Sequence, residues 1–196
     1  VLSLPLIKGI GFGLLIAVLL GPVFFALIQT SITKGFQAGA FMAIGIILSD
    51  AFCVFISFIG LLQIVQGPEA LRLIGIFGGL FMFGYGTFLV LSKKIHHPGR
   101  ELPAVNSGWM LGGSIAKGFL LNILNPFVIV YWLGVSSFVS AMPDFDRSDK
   151  LMFFVGTLGT ILLTDLGKSY GAKKLRKYVT RQVILWLNRI SGSALL

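Results

Sequence analysis

Five long stretches of this chain are almost free of charge. Residues 9–33, 73–92 and 118–143 carry no charged side chain, residues 35–68 carry only Asp50, and residues 151–167 carry only Asp165. A helix needs about 20 apolar residues to cross a hydrocarbon core. The stretches are continuously apolar rather than alternating, which favours helices over the strands of a barrel. The reading is five complete spans, at about 7–30, 40–65, 70–92, 115–139 and 150–168. Composition agrees. Of 196 residues, 56% are hydrophobic and 12% are charged, and a soluble domain carries about 25% charged residues. A water-soluble globule is excluded, and 13% aromatics exclude disorder. An all-α, polytopic transmembrane protein remains, with residues 1–196 as a single transmembrane domain.

The segment Leu185 to Leu196 reads as an interfacial approach and the start of a sixth span. Together with the initial Val1, it leads us to expect that the sixth helix is truncated. Residues 1–20 hold one basic residue, Lys8, and no small-x-small cleavage site, so they read as a retained helix rather than a signal peptide.

The net charge is +9, and its distribution sets an orientation. The loops after spans one, three and five hold twelve basic residues and one acid, Glu101; the opposite side holds four of each. Cytoplasmic loops collect Lys and Arg. The expected topology therefore places those three loops in the cytoplasm and the N-terminus outside. The block Lys173 to Arg181 then anchors the chain against anionic lipid, and no nucleic-acid partner is called for.

The two halves resemble each other. Gly21-Pro22 in the first span matches Asn125-Pro126 in the fourth; Ser49-Asp50 in the second matches Thr164-Asp165 in the fifth. Halves of about 1–92 and 110–196, joined by a cytoplasmic linker of about 93–109, would hold three spans each. An odd number of spans inverts one half relative to the other, the inverted-repeat plan of many secondary transporters.

These positions also carry the candidate chemistry. Pro22 and Pro126 each remove a backbone N–H and push on the carbonyl four residues back, at Val18 and Asn122. A helix broken at membrane depth must be satisfied by protein or by water in a cavity. Two facing half-helices around a central polar site are one reading; ordinary proline kinks are the other. Asp50 and Asp165 are the acids placed within the hydrocarbon, where a charge costs about 2.5–3.5 kcal/mol even on insertion scales. Such residues mark ion or substrate paths, and these would bind an ammonium group or a coupling proton. Asp50 is open to a structural role, and Asp165 to a simple ion pair with Lys168. Asn122 and Asn125 would hold a carboxylate or act as interhelical glue. Lys117 reads as snorkelling to the interface. Gly75, Gly79 and Gly86, and Gly35 and Gly39, read as sites of close helix contact. His96 and His97 lie in a cationic loop, a poor metal site. The one cysteine, Cys53, permits no intrachain disulfide and packs as a small apolar residue. No phosphate loop or Ser/His/Asp set is present, so no enzyme activity, cofactor or resident metal is expected.

The sequence resembles the LysE/RhtB-type amino-acid exporter (lysine-exporter) family of bacterial membranes. The likeness spans nearly the whole chain. It rests on Gly21-Pro22, on Lys34-Gly35-Phe36-Gln37-Ala38-Gly39 leading to Gly45 and Asp50, and on Asp165. Its most specific element runs from Lys117-Gly118-Phe119 to Asn122-Ile123-Leu124-Asn125-Pro126. Leu20 stands where the family's Pro-Gly-Pro has its first proline, and Phe127 where a basic residue often follows Asn-Pro, the mark of a divergent branch. The resemblance implies six helices, location in a bacterial inner membrane, and export of small amino acids or similar zwitterionic metabolites. It also implies coupling to the membrane potential or proton gradient. The site set is Gly21, Pro22, Ser49, Asp50, Asn122, Asn125, Pro126 and Asp165. Partners are the small-molecule substrate and the lipid bilayer, with room for a homo-oligomer. The rivals are a metal-ion exporter of related fold, which wants more His, Cys or acids in the spans, and a non-transporting scaffold subunit, which needs no intramembrane acid.

Overall fold

A computed structural model describes residues 3–18, 21–58, 67–91 and 108–175, with the isolated positions Gln182, Trp186 and Arg189. The described residues are all-helical, as the apolar runs require. The helices are α1 (Ser3–Val18), α2 (Pro22–Lys34), α3 (Phe36–Phe58), α4 (Pro68–Leu91), α5 (Gly108–Ile123), α6 (Pro126–Ser140) and α7 (Arg147–Leu175). The expected sixth span, the linker loop with its two histidines, and most of the basic block after Lys174 lie outside the described residues.

Residues Phe36–Ile56 within α3, and α7, are each long and apolar enough to cross a bilayer. The first and fourth expected spans are not single kinked helices. Each is a helix pair, bent by 75° between α1 and α2 and by 68° between α5 and α6, far beyond the 20° or so that marks a sharp kink. Proline is the cause. Pro22 and Pro126 stand in the first turns of α2 and α6, where a missing N–H costs nothing and the fixed φ suits a helix start. The residue before a proline is driven to extended backbone. Gly21 has φ −94° and ψ 175°, and Asn125 has φ −81° and ψ 111°. The Asn122 carbonyl, expected to be freed by Pro126, accepts from the Asn125 N–H at 3.1 Å.

The turn from α2 to α3 takes one residue. Gly35 has φ 90°, in the left-handed region that only glycine enters without strain. Its N–H closes α2 on the Ser31 carbonyl at 3.1 Å.

Two helix pairs make the most extensive contacts: α1 along α7, and α3 along α5. Both run parallel. Gly9 meets the Phe153 backbone and Gly13 meets Thr157; Gly118 meets Met42, and four residues on Asn122 meets Ile46. Glycine permits the approach. A Cβ at Gly9 would run into the Phe153 carbonyl oxygen, and one at Gly45 into that of Ile115. Small residues allow such backbone packing where no hydrophobic force drives helices together. Thr157 Oγ1 adds a hydrogen bond of 3.0 Å to the Gly9 carbonyl.

The glycine expectations divide. Gly39 packs against Ser31 and Ser169, and Gly86 is buried. Gly75 and Gly79 are exposed and face open space among the described residues. The close contact of α4 is made at Gly78, where an added Cβ would lie 3.0 Å from the Leu124 carbonyl oxygen.

Large apolar side chains stand exposed on most helices, among them Leu15, Phe77, Phe127 and Leu163. Water would not tolerate so much exposed apolar surface on a monomer; lipid does. Beneath them, Trp132 and Phe153 are fully buried with Cys53 in the main core cluster. The Lys8 ammonium lies 5.1 Å from the Phe145 ring centroid, beside the acidic loop. Phe36 and Tyr170 pair at 6.1 Å at the opposite end, where α2 and α7 each end in basic residues, Lys34 and Lys173-Lys174.

Candidate substrate site

The two helix breaks face one cavity of about 370 Å³. Gly21 and Pro22 line it from the first break and Asn125 from the second; Asp50, Asn122 and Asp165 line it from α3, α5 and α7. Six of the eight site residues read from the sequence therefore meet in one wall. Ser49 stands behind it, 2.6 Å from the Asn122 amide nitrogen. Pro126 opens α6 without lining the cavity. A volume of this size sits near the lower end of small-molecule pockets.

Asp50 is buried, and one of its oxygens is held from two helices. Oδ1 accepts from Asn122 Nδ2 at 2.8 Å and from the Trp132 indole Nε1 at 2.8 Å. Both of these bonds fall on Oδ1. Asn122 Nδ2 also lies 2.6 Å from Ser49 Oγ and 3.4 Å from the Ile46 carbonyl. Ser49 Oγ donates to that same carbonyl at 3.1 Å. The cluster fixes the carboxylate's position and gives the Asn122 amide, the Ser49 hydroxyl and the Trp132 indole their partners, as a low-dielectric interior demands. Trp132 was not legible as a site residue: it reads as one more aromatic in an apolar run.

Asparagine at the second break also serves the backbone. Asn125 Oδ1 accepts from the Phe127 N–H at 3.1 Å and caps α6. Its Nδ2 has no acceptor among the described residues, and the residue lines the cavity. Gly21 at the first break supplies no side-chain cap.

Asp165 forms the ion pair that its spacing allows. Lys168 Nζ lies 2.8 Å from its Oδ1. The pair is not at an exposed interface, because both residues line the cavity and their side chains are 10% and 21% exposed. Lys168 Nζ also sits 5.6 Å from the Phe24 ring centroid. Lys117 differs from its expected role. It lies partway along α5 and donates to Thr30 Oγ1 on α2 at 3.1 Å. Among the described residues, no three His, Cys, Asp or Glu side chains gather as a metal site would require.

Discontinuous helices around a cavity with buried carboxylates are an arrangement found among membrane transporters. The sequence profile of the LysE type translocators matches residues 14–196. The chain belongs to that family, whose members are multi-pass membrane transporters rather than enzymes. It is similar to a Bacillus subtilis (strain 168) protein named "Putative amino acid efflux protein YcgF", 25% identical over 186 residues, covering 94% of this chain and 88% of that protein. It is also similar to the "Uncharacterized membrane protein YahN" of Escherichia coli (strain K12), 23% identical over 118 residues, 60% of this chain and 52% of that protein. No solved structure matches the chain.

Proposed function

We propose that the chain exports amino acids or similar small zwitterionic metabolites by secondary active transport across a bacterial inner membrane. The observation that carries this reading is the convergence of both helix breaks, Asp50, Asp165 and Asn125 on one cavity. The efflux name of the Bacillus relative supports the direction. Asp50 presents its Oδ2 to a substrate ammonium or a coupling proton, held in place by Trp132, Asn122 and Ser49. Asp165 shares that task once released from Lys168. Asn125 offers its amide to the carboxylate end, while Asn122 acts by orienting Asp50.

The same reading makes two inverted halves, about 1–92 and 110–196, of a single domain. Its support is reciprocal packing: the first helix of each half lies along the second helix of the other, α1 with α7 and α5 with α3. Rocking of one half against the other then gives alternating access. The basic loops face the cytoplasm and the N-terminus faces out. Among the described residues no metal-binding cluster favours a metal-ion cargo, and a scaffold leaves the buried carboxylates unexplained. Counterflow of amino acids into liposomes holding the full chain tests the proposal. Saturable flux that Asp50→Asn removes supports it; no flux from folded protein contradicts it.

A further inference from the structure

Among the described residues three charged side chains line the cavity, and Lys168 is the one cation among them. A carboxylate drawn into such a site needs both donors and charge balance. Most other side-chain donors of the described lining are committed. The Asn122 amide serves Ser49 and Asp50, the Trp132 indole serves Asp50, and the Tyr131 hydroxyl serves the Phe12 carbonyl at 3.1 Å. Asn125 offers a neutral amide only. We infer that Lys168 is the carboxylate-binding residue of this cavity, and that its substrates are amino acids with an uncharged, mid-sized apolar side chain. The inference rests on the exporter reading and deepens it.

The ion pair makes the binding an exchange. In the unliganded cavity Lys168 and Asp165 satisfy each other at 2.8 Å. An arriving zwitterion brings one ammonium and one carboxylate. Its carboxylate takes Lys168, and its ammonium takes the acids. Lys168 and Asp165 each face an opposite charge before and after, and Asp50 keeps its Asn122 and Trp132 donors throughout. The rest of the wall selects the side chain. Leu27, Ile46, Val128 and Ile161, from α2, α3, α6 and α7, are all buried aliphatic residues lining the cavity. A second ammonium laid against them would be desolvated without a partner.

The test measures the concentration for half-maximal thermal stabilisation of the full chain in detergent. The probes are L-leucine, L-leucinamide and L-lysine; the amide keeps the ammonium and lacks the carboxylate. The wild type should bind leucine about tenfold or more tightly over leucinamide, the scale of one charge-assisted hydrogen bond. Lys168→Gln should bring that ratio close to one while leucinamide affinity holds, and Lys168→Arg should restore it. A lysine that only braces α7 would lower the unliganded melting temperature and leave the ratio alone, which overturns the assignment. A wild-type ratio near one overturns it too, even if Lys168→Gln does not fold. Preference for L-lysine over L-leucine overturns the side-chain assignment. If leucine stabilises the wild type but the ratio survives Lys168→Gln, only this inference falls. If no amino acid stabilises the wild type, the exporter reading falls with it.

Discussion

The indole Nε1 of Trp132 donates to Oδ1 of Asp50 at 2.8 Å, across 82 positions of sequence. The bond ties α6, which begins at the second helix break, to the buried carboxylate on α3. It makes the acid a fixed feature of the cavity rather than a mobile charge. Removing the donor while keeping an aromatic ring tests this. Trp132→Phe should cost about 1.5–3 kcal/mol, the range for a hydrogen bond to a charged group. The loss should appear as a lower melting temperature and several-fold weaker substrate stabilisation. Unchanged substrate affinity in that variant would mean that the indole serves packing alone.

The two prolines are predicted to matter for transport more than for stability. Pro126→Ala restores a backbone N–H and removes the ring that bars continuation of α5 into α6. The expected variant inserts and folds with a melting temperature at or above that of the wild type, yet loses most of its flux. Retained flux would separate the break from the transport step. Pro22→Ala should behave in the same way.

Asn125 has two roles that substitution can split. Asn125→Asp keeps an acceptor for the Phe127 N–H and loses the amide donor. Asn125→Ala loses both, with a cap cost of about 1 kcal/mol. The melting temperature should fall in Asn125→Ala and hold in Asn125→Asp. Substrate stabilisation should weaken in both.

The glycines give a contrast on stability. Gly45→Val and Gly9→Val place side chains against the Ile115 and Phe153 carbonyls. Each should destabilise by more than about 3 kcal/mol, in the range of severe overpacking. Gly75→Ala and Gly79→Ala meet open space among the described residues and should stabilise α4 by up to about 1 kcal/mol each. Thermal unfolding of the four purified variants checks the ordering.

The sequence made some features legible because each is expensive in lipid. An acid inside an otherwise charge-free stretch stands out, as Asp50 and Asp165 do. A proline within a span announces a break, and two at matching places announce a pair. Features that depend on which face meets which neighbour were not legible. Trp132 looks like any aromatic in an apolar run until α6 is laid beside α3. Gly78, not Gly75 or Gly79, carries the α4 contact because Gly78 faces Leu124 at the second break, and spacing alone does not choose that face. Lys168 reads as an interface partner for Asp165, whereas α7 carries the pair into the cavity wall. The size of both bends was also hidden, since a proline licenses a kink or a full change of direction.

Asp50, as proposed, is the working carboxylate of an amino-acid exporter. The most direct measurement is counterflow of a panel of amino acids in liposomes holding either the wild type or Asp50→Asn, with melting curves to show that both are folded. Saturable flux is expected in the wild type and background flux in a folded Asp50→Asn. Equal flux in the two proteins would contradict it.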